Sequence, residues 1–315
     1  MHAWAGLAGV IAVALAADLA IFHRKRSGPR EKREPTLKIA LAESAGWIGL
    51  ALAFNAWIYV TRGPEAGTQF LTGYLVEKTL SADNILIFLV IFRAFGVAPS
   101  RQHRVLYYGV FGALALRGAF VYAGITLLQK IHAILYVFGA ILLIASVQML
   151  LPRKREKKPE NNLLVRLARR VMPVADGYEG EAFFTKQAGR WSATHLLLAL
   201  VAVEAMDIVF AVDSVPAVLA ITRDAFIVYS SNAFAILGLR ALYFALAGVL
   251  PKLRYFHQGL AAILAFVGMK MILSERLRIP DWASLAAIAT ILTLTIGASM
   301  LLPREDARPA VTAKD

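Results

Sequence analysis

Nine stretches of mostly apolar residues divide this chain, each about 20 residues long and able to cross the ~30 Å hydrocarbon core of a bilayer. Apolar residues make up 58% of the chain and charged residues 17%, a composition that excludes an ordinary soluble domain and a disordered chain. The sequence therefore predicts an all-α polytopic membrane protein. The predicted spans lie near residues 3–22, 39–60, 67–92, 105–128, 132–151, 193–222, 226–250, 257–274 and 282–302.

The lysines and arginines predict the topology, because short cytoplasmic loops carry an excess of both. Alternate connecting segments, from 23–38 to the C-terminal tail, hold 25 of the 34 Lys and Arg residues, and the segments between them hold 5. The first span has its positive charges after the apolar run, which is the wrong order for a cleaved signal peptide. We therefore expect a multi-pass protein of a bacterial-type plasma (inner) membrane, with the N-terminus outside and the C-terminus in the cytoplasm.

Two parts of the chain resemble each other. Segments 77–84 and 207–214 both place two acids six residues apart, followed by a small polar residue. The next spans match position by position over Leu114-Ala-Leu-Arg117-Gly-Ala-Phe120 and Leu237-Gly-Leu-Arg240-Ala-Leu-Tyr243. One more span follows in each part, with Gly139 and Gly268 near the two centres. The sequence therefore predicts two repeats of three helices.

The repeats are expected to be inverted, because the first begins outside the membrane at 67 and the second begins inside at 193. Inverted three-helix repeats are an architecture of transporters, whose site lies between the halves near the midplane. We divide the chain into two N-terminal spans (1–66), the first repeat (67–151), a basic cytoplasmic loop (152–192), the second repeat (193–274), and a last span with the cytoplasmic tail (275–315).

The basic loop opens with a run of charges at 153–158 and continues with apolar residues at helical spacing near 163–171. A basic amphipathic helix of this kind lies on an anionic membrane surface. A solvated linker with a charged flank fits the same residues, and the sequence does not choose between the two.

Five acids inside the apolar windows predict the chemistry of the site. A charged side chain at bilayer depth costs ~2.5–3.5 kcal/mol, so such groups pair with one another, bind a cation or line a water-filled cavity. The chain contains no cysteine, and oxygen ligands favour hard cations. The acids are Glu77, Asp83, Glu204, Asp207 and Asp213.

The spacing of these acids along the sequence predicts which of them point in the same direction from a helix. Glu204 and Asp207 share one helical face, whereas acids six residues apart point ~120° from each other on an unbroken helix. A break near Pro216, which removes a backbone donor, would let both acids of the second repeat face inward. In the third span only Gly73 and Ser81 suggest an irregularity.

An alternative is that these acids only pair with the four bases inside the windows and bind no ligand. Those bases are Lys78, Arg117, Arg240 and Lys270. Asp18 and Glu43 lie at a shallower depth on the cytoplasmic side, where they could form a gate or simply reach the headgroup region.

The motif segments resemble the TerC/Alx family of integral membrane proteins. The resemblance rests on Val-Glu77-Lys-Thr-Leu-Ser-Ala-Asp83-Asn84, on Val-Glu204-Ala-Met-Asp207-Ile-Val-Phe-Ala-Val-Asp213-Ser214-Val-Pro216-Ala, and on the segment from Asn232 to Phe244. It covers roughly residues 15–300 and implies a transporter of repeated three-helix halves, with manganese export as its activity and tellurium resistance as its historical name. Carried over to this chain, it implies that the five motif acids ligate the ion, with Asn84 and Ser214 beside them.

We therefore expect export of a divalent cation, with Mn²⁺ favoured by the resemblance, by alternating access and in exchange for protons. No P-loop is present, and no H-E-x-x-H motif or cysteine nucleophile, so we expect no enzyme. We expect no permanently bound cofactor. The partners are the lipid bilayer and the metal ion, without nucleic acid, because the basic residues lie in short runs between spans. The alternative is a structural or assembly protein that docks partners through the basic loop.

Overall fold

A computed structural model describes residues 2–26, 37–131, 133–151, 165, 170, 173–175, 182–187, 190–246, 253–274, 276–277 and 279–301. Ten helices and one β-hairpin account for most of these residues. The helices are α1 (His2–Arg26), α2 (Leu37–Arg62), α3 (Pro64–Ala94), α4 (Pro99–Lys130), α5 (Ile134–Leu150), α6 (His195–Leu219), α7 (Ala225–Leu237), α8 (Leu239–Leu246), α9 (Phe256–Ile272) and α10 (Asp281–Leu301), and the strands are β1 (Phe184–Gln187) and β2 (Arg190–Ala193).

The helices begin where local chemistry favours a start. Proline occupies the first turn of both α3 and α4, where its missing N–H has no intrahelical acceptor to lose. Thr194 caps α6 by accepting from the backbone N–H of Leu197. Asp224 caps α7 by accepting from the N–H groups of Phe226 and Ile227 at 2.9 and 3.3 Å. Such caps satisfy backbone donors that the first turn leaves free.

The apolar helices confirm a polytopic membrane protein. Among the described residues, α2, α4, α6 and α10 are long and apolar enough to cross a bilayer, and α7 with α8 makes a fifth span if the bent pair is counted as one. Each of the nine predicted windows contains helical residues. The number of nine spans stays a prediction, because the other helices do not all reach that length and composition.

The helices of the two predicted repeats pack in reciprocal pairs. The first helix of each part packs against the second helix of the other, so α3 contacts α7 and α4 contacts α6. The third helices, α5 and α9, pack against each other. At their crossing, a β-carbon added to Gly139 would lie 3.0 Å from the carbonyl oxygen of Gly268, and the reverse distance is also 3.0 Å. The matched glycines therefore let two helix backbones touch.

The break in a span lies at a different place from the one that the sequence suggested. Helix α6 continues through Pro216 to Leu219, and α3 is unbroken across Gly73 and Ser81. The expected break near Pro216 is wrong because the proline falls in the last turn, where little helix follows it. The bend lies instead at Gly238, where α7 and α8 meet at 47°.

Two side chains from other helices, those of Trp47 and Lys78, pack against the bend at Gly238. A β-carbon there would approach Trp47 and the Lys78 ammonium to 2.9 Å, so glycine allows close packing. Lys78 also donates to the carbonyl of Ala235 at 3.2 Å. Carbonyls in the last turn of a helix have no intrahelical donor, and the lysine of α3 supplies one.

The all-α prediction needs one correction, since β1 and β2 form an antiparallel hairpin that begins in the predicted loop 152–192 and ends at Ala193. Aromatic and β-branched residues favour strands, and the pair of Thr185 with Ser192 is part of this ladder. Most of the predicted surface helix at 163–171 lies outside the described residues. Val165 is helical and buried against the cluster that contains Phe88 and Val105.

Candidate cation site

Arg117 of α4 lies at the centre of a buried polar cluster, with 1% of its surface exposed. Its Nη1 donates to Glu77 Oε1, to Ser214 Oγ at 2.7 Å and to Asn232 Oδ1 at 3.0 Å. Its Nη2 lies 3.5 Å from Asp207 Oδ1. One guanidinium therefore connects oxygens from α3, α6 and α7. We call these five residues the Arg117 cluster.

The cluster lies halfway along its helices. Asp207 is the middle residue of the 25-residue helix α6, and Glu77 lies near the middle of the 31-residue helix α3. Ser214 follows Asp207 by two turns, and residues seven apart share a helical face. The spacing of the sequence thus brings the first acid of one motif and the final polar residue of the other to the same depth.

Three buried polar atoms of the Arg117 cluster have no hydrogen-bond partner among the described residues. Glu77 is 0% exposed and Asp207 6% exposed, yet Glu77 Oε2, Asp207 Oδ2 and Arg117 Nε have no hydrogen-bond partner within the part of the chain that the structure describes. A buried polar atom without a partner costs ~1–3 kcal/mol, more when it is charged. The carboxylates therefore have unused capacity to accept a cation or a proton.

Glu204 lies one turn before Asp207 on α6, against α4. A β-carbon added to Gly112 would overlap the Glu204 carboxylate, and one added to Gly109 would lie 3.6 Å from Glu204 Oε1. Glu204 Oε2 is buried without a hydrogen-bond partner among the described residues. The two glycines form a notch that holds this carboxylate beside the cluster, and we call it the α4 notch.

The second acids of the two motifs are Asp83 and Asp213, and among the described side chains only the first acids form ion pairs with Arg117. Asp213 is half-buried beside Ser214 and interacts electrostatically with Glu77 and Arg117. Asp83 belongs to α3, but its side chain lies outside the described residues. Asn84 is buried two turns after Glu77 on the same face of α3. Across the described residues no three His, Asp or Glu side chains form a group able to hold a metal.

The bases of the apolar windows have different partners. Lys270 donates to Ser284 Oγ at 2.8 Å and lies 3.5 Å from Asp281 Oδ1, so it joins α9 to α10. Lys78 bonds the carbonyl of Ala235 and lies 5.8 Å from the centre of the Tyr74 ring. Among the side chains that the structure describes, neither lysine pairs with a motif acid.

The other three groups expected near the site can be placed only in part. Arg240 is buried on α8, and Glu43 is half-buried on α2. The side chain of Asp18, in α1, lies outside the described residues.

A family comparison decides the classification. The model of the integral membrane protein TerC family matches residues 62–307, which contain every residue of the Arg117 cluster. The chain belongs to the TerC family.

Relatives of this TerC-family chain share its length. An uncharacterized membrane protein of Myxococcus xanthus is 47% identical over 301 residues, which cover 96% of this chain and 92% of that protein. A protein of Escherichia coli strain K12, named putative membrane-bound redox modulator Alx, is 43% identical and covers 93% of this chain and 92% of its own length. No solved structure matches the chain at a significant level.

Asn232 belongs to the site of this TerC-family chain, although the sequence did not predict it there. The residue is 0% exposed and also donates from Nδ2 to the carbonyl of Val228 at 2.9 Å, which orients Oδ1 toward Arg117. A polar residue inside an apolar span was the available signal. The repeat concealed it, because the matched position in the first repeat is Gly109.

Proposed function

We propose that this TerC-family chain exports a divalent metal cation from the cytoplasm by alternating access, and that the cation binds at Glu77 and Asp207. One observation carries the proposal. These two acids, at matched positions of the two motifs, both contact the buried Arg117 near the middle of their helices, and each has a buried oxygen without a partner among the described residues. Midplane sites between repeated halves are typical of transporters.

The available ligands fit a hard cation. Carboxylate oxygens of Glu77 and Asp207, the Ser214 hydroxyl and the Asn232 amide oxygen converge on one region. Such oxygen donors suit Mg²⁺, Ca²⁺ and Mn²⁺, whereas the missing thiolates disfavour Cu(I). Mn²⁺ is our proposed ion because of the family resemblance, since oxygen ligands alone do not distinguish it from the other two.

The packing of the helices supports alternating access. Reciprocal contacts, α3 with α7 and α4 with α6, fit two inverted three-helix halves within a bundle of nine spans. Rocking of one such half against the other would open the site alternately to each side. Carboxylates that release a cation can bind protons, so we propose proton exchange as the driving reaction. The proposed orientation places the N-terminus outside and the C-terminus in the cytoplasm.

Two other candidate functions have less support. The Escherichia coli relative is named a putative redox modulator, but this sequence contains no cysteine, so its own side chains cannot exchange thiols and disulfides. An assembly factor docking through the basic loop depends on residues 152–192. Deleting the charged run of that loop, 153–158, keeps the buried Val165 in place. It should leave transport intact if the cluster performs it, whereas a docking function of the basic loop would be lost.

Metal flux into proteoliposomes tests the proposal directly. The purified chain should move Mn²⁺, and the parallel use of Mg²⁺, Ca²⁺ and Zn²⁺ establishes selectivity. Glu77→Gln keeps the side-chain shape but removes a ligand charge, so flux should fall to the level of empty liposomes. Glu65→Gln is a matched control on the same helix, because Glu65 is exposed in the first turn of α3. Flux that is unchanged in Glu77→Gln would contradict the proposal.

A further inference from the structure

The guanidinium of Arg117 is bound in an unusual way. Arginine usually meets a carboxylate with two parallel hydrogen bonds from its planar fork. Here Nη1 alone faces three oxygens, from Glu77, Ser214 and Asn232, although it carries only two hydrogens. Nε has no partner within the described part of the chain. The oxygens are thus arranged around a point and do not match the shape of the fork.

Oxygens that converge on a point from several helices form the kind of shell that a small cation uses. Around Nη1, Glu77 supplies a carboxylate oxygen, Ser214 a hydroxyl and Asn232 an amide oxygen, which are common ligands of hard cations. The carboxylate of Asp207 lies next to this shell, 3.5 Å from Nη2. Nη1 occupies the position where such an ion would sit. The uncoordinated second oxygens, Glu77 Oε2 and Asp207 Oδ2, lie in the same buried cluster.

We propose that Arg117 is a tethered cation that fills the site of the empty transporter, and that an arriving divalent metal ion displaces its guanidinium onto Asp213. This inference rests on the proposed function, because it specifies how the same site is vacated and filled. Asp213 is the suitable acceptor. It adjoins Ser214, whose hydroxyl is 2.7 Å from Nη1, and it already interacts electrostatically with Arg117.

The balance of charge favours displacement over simultaneous binding. Glu77 and Asp207 carry two negative charges, so a divalent ion neutralises them without help from arginine. If Arg117 stayed beside the ion, this buried group would hold an excess positive charge, which is costly in a medium of low polarity. Moving the guanidinium to Asp213 leaves two neutral sets, the ion with its two carboxylates and the arginine with its new partner.

A competing arginine weakens the apparent affinity for the metal. If the guanidinium occupies the site nine-tenths of the time, the apparent Kd is ~10-fold above the intrinsic value. Replacing Arg117 by Gln should therefore tighten Mn²⁺ binding by about 10-fold or more, while Mn²⁺ flux falls because nothing displaces the bound ion. Arg117→Ala should also leave a space in which free guanidinium competes with Mn²⁺.

The experiment measures the Mn²⁺ Kd of the purified full chain by equilibrium binding, for the parent, Arg117→Gln, Arg117→Ala and Lys270→Gln. Lys270→Gln is the matched control, because it removes the same charge from the pair with Asp281 and should keep the parental Kd. Millimolar guanidinium chloride should raise the Kd of Arg117→Ala in proportion to its concentration. The same concentration of sodium chloride should not.

The outcomes separate this inference from the proposed function. Parental or weaker Mn²⁺ binding in folded Arg117 variants, or no competition by guanidinium, would overturn the tethered-cation proposal and leave transport standing. Absence of Mn²⁺ binding in the parent would overturn the proposed function and this inference together. If the neutral variants do not fold, Arg117→Lys retains the charge but loses the multiple donors, so Mn²⁺ must bind it more tightly than the parent.

Discussion

The carboxylate of Glu204 lies directly against Gly112, in the α4 notch, where any β-carbon would overlap it. The neighbouring Gly109 is less crowded, since its added β-carbon would lie 3.6 Å from Glu204 Oε1, an ordinary contact. Glu204 lies one turn before Asp207 on α6, toward the helix end that the predicted topology places in the cytoplasm. The notch therefore holds an acid on the side of the Arg117 cluster that the predicted topology places toward the cytoplasm.

Gly112→Ala should reduce transport by moving the Glu204 carboxylate. The added methyl group forces either the side chain or the two helices apart, and misplacing a functional group by 1 Å can cost a factor of ~100 in rate. Mn²⁺ flux in proteoliposomes should fall at least ~10-fold. Gly109→Ala is the matched control, with flux close to that of the parent. Equal flux in both variants would show that the position of Glu204 does not matter for transport.

The contact between Gly139 and Gly268 predicts a loss of stability. Gly139→Ala would place a methyl group 3.0 Å from a backbone oxygen that cannot turn away, and overpacking of this kind costs ~1–3 kcal/mol. Gly297→Ala on α10 is the control, because nothing lies within 4 Å of its added β-carbon. Alanine favours helix over glycine by ~1 kcal/mol. In thermal unfolding in detergent, Gly139→Ala should melt below the parent and Gly297→Ala at or above it.

The sequence was sufficient to predict the helical segments and part of the site. Hydrophobic length locates helices because a span must be apolar over a fixed distance. Charge in an apolar window locates functional groups because burial of charge is costly. Glu77 and Asp207 were predicted in this way, Ser214 was predicted from its place in the motif, and the structure brings all three to Arg117.

The remaining features depend on packing between distant segments. The bend at Gly238 follows from Trp47 and Lys78 of other helices, so no local signal as strong as proline announces it. Arg117 was expected as a possible partner of the acids, but its position between both motifs depends on reciprocal packing of the repeats. The β-hairpin at 184–193 is short, and four-residue strands carry little periodicity.

Lys78→Met should destabilise the bend between α7 and α8. Methionine keeps much of the apolar stem but removes the donor to the Ala235 carbonyl, and an unsatisfied buried carbonyl costs ~1–3 kcal/mol. Thermal unfolding should therefore begin at a lower temperature. Hydrogen exchange should increase in residues 235–246 before it increases in α5 or α9. Parental exchange in that segment would show that the lysine does not support the bend.

Asp213→Asn and Asp207→Asn should separate transport from folding. Asp207 lies 3.5 Å from the guanidinium, so its neutralisation removes a charged partner of Arg117 and should lower stability by ~1–3 kcal/mol as well as abolish transport.

Asp213 is half-buried and forms no ion pair with Arg117 within 4 Å in this state. The free energy of unfolding of the Asp213→Asn variant should therefore lie within ~0.5 kcal/mol of the parental value. The variant should still lose Mn²⁺ flux, because the displaced guanidinium has no acceptor. Extracted yield and melting temperature are measured beside flux for both variants. Parental flux in a stable Asp213→Asn protein would remove this aspartate from the transport cycle, and a large loss of its stability would mean that Asp213 supports the resting structure instead.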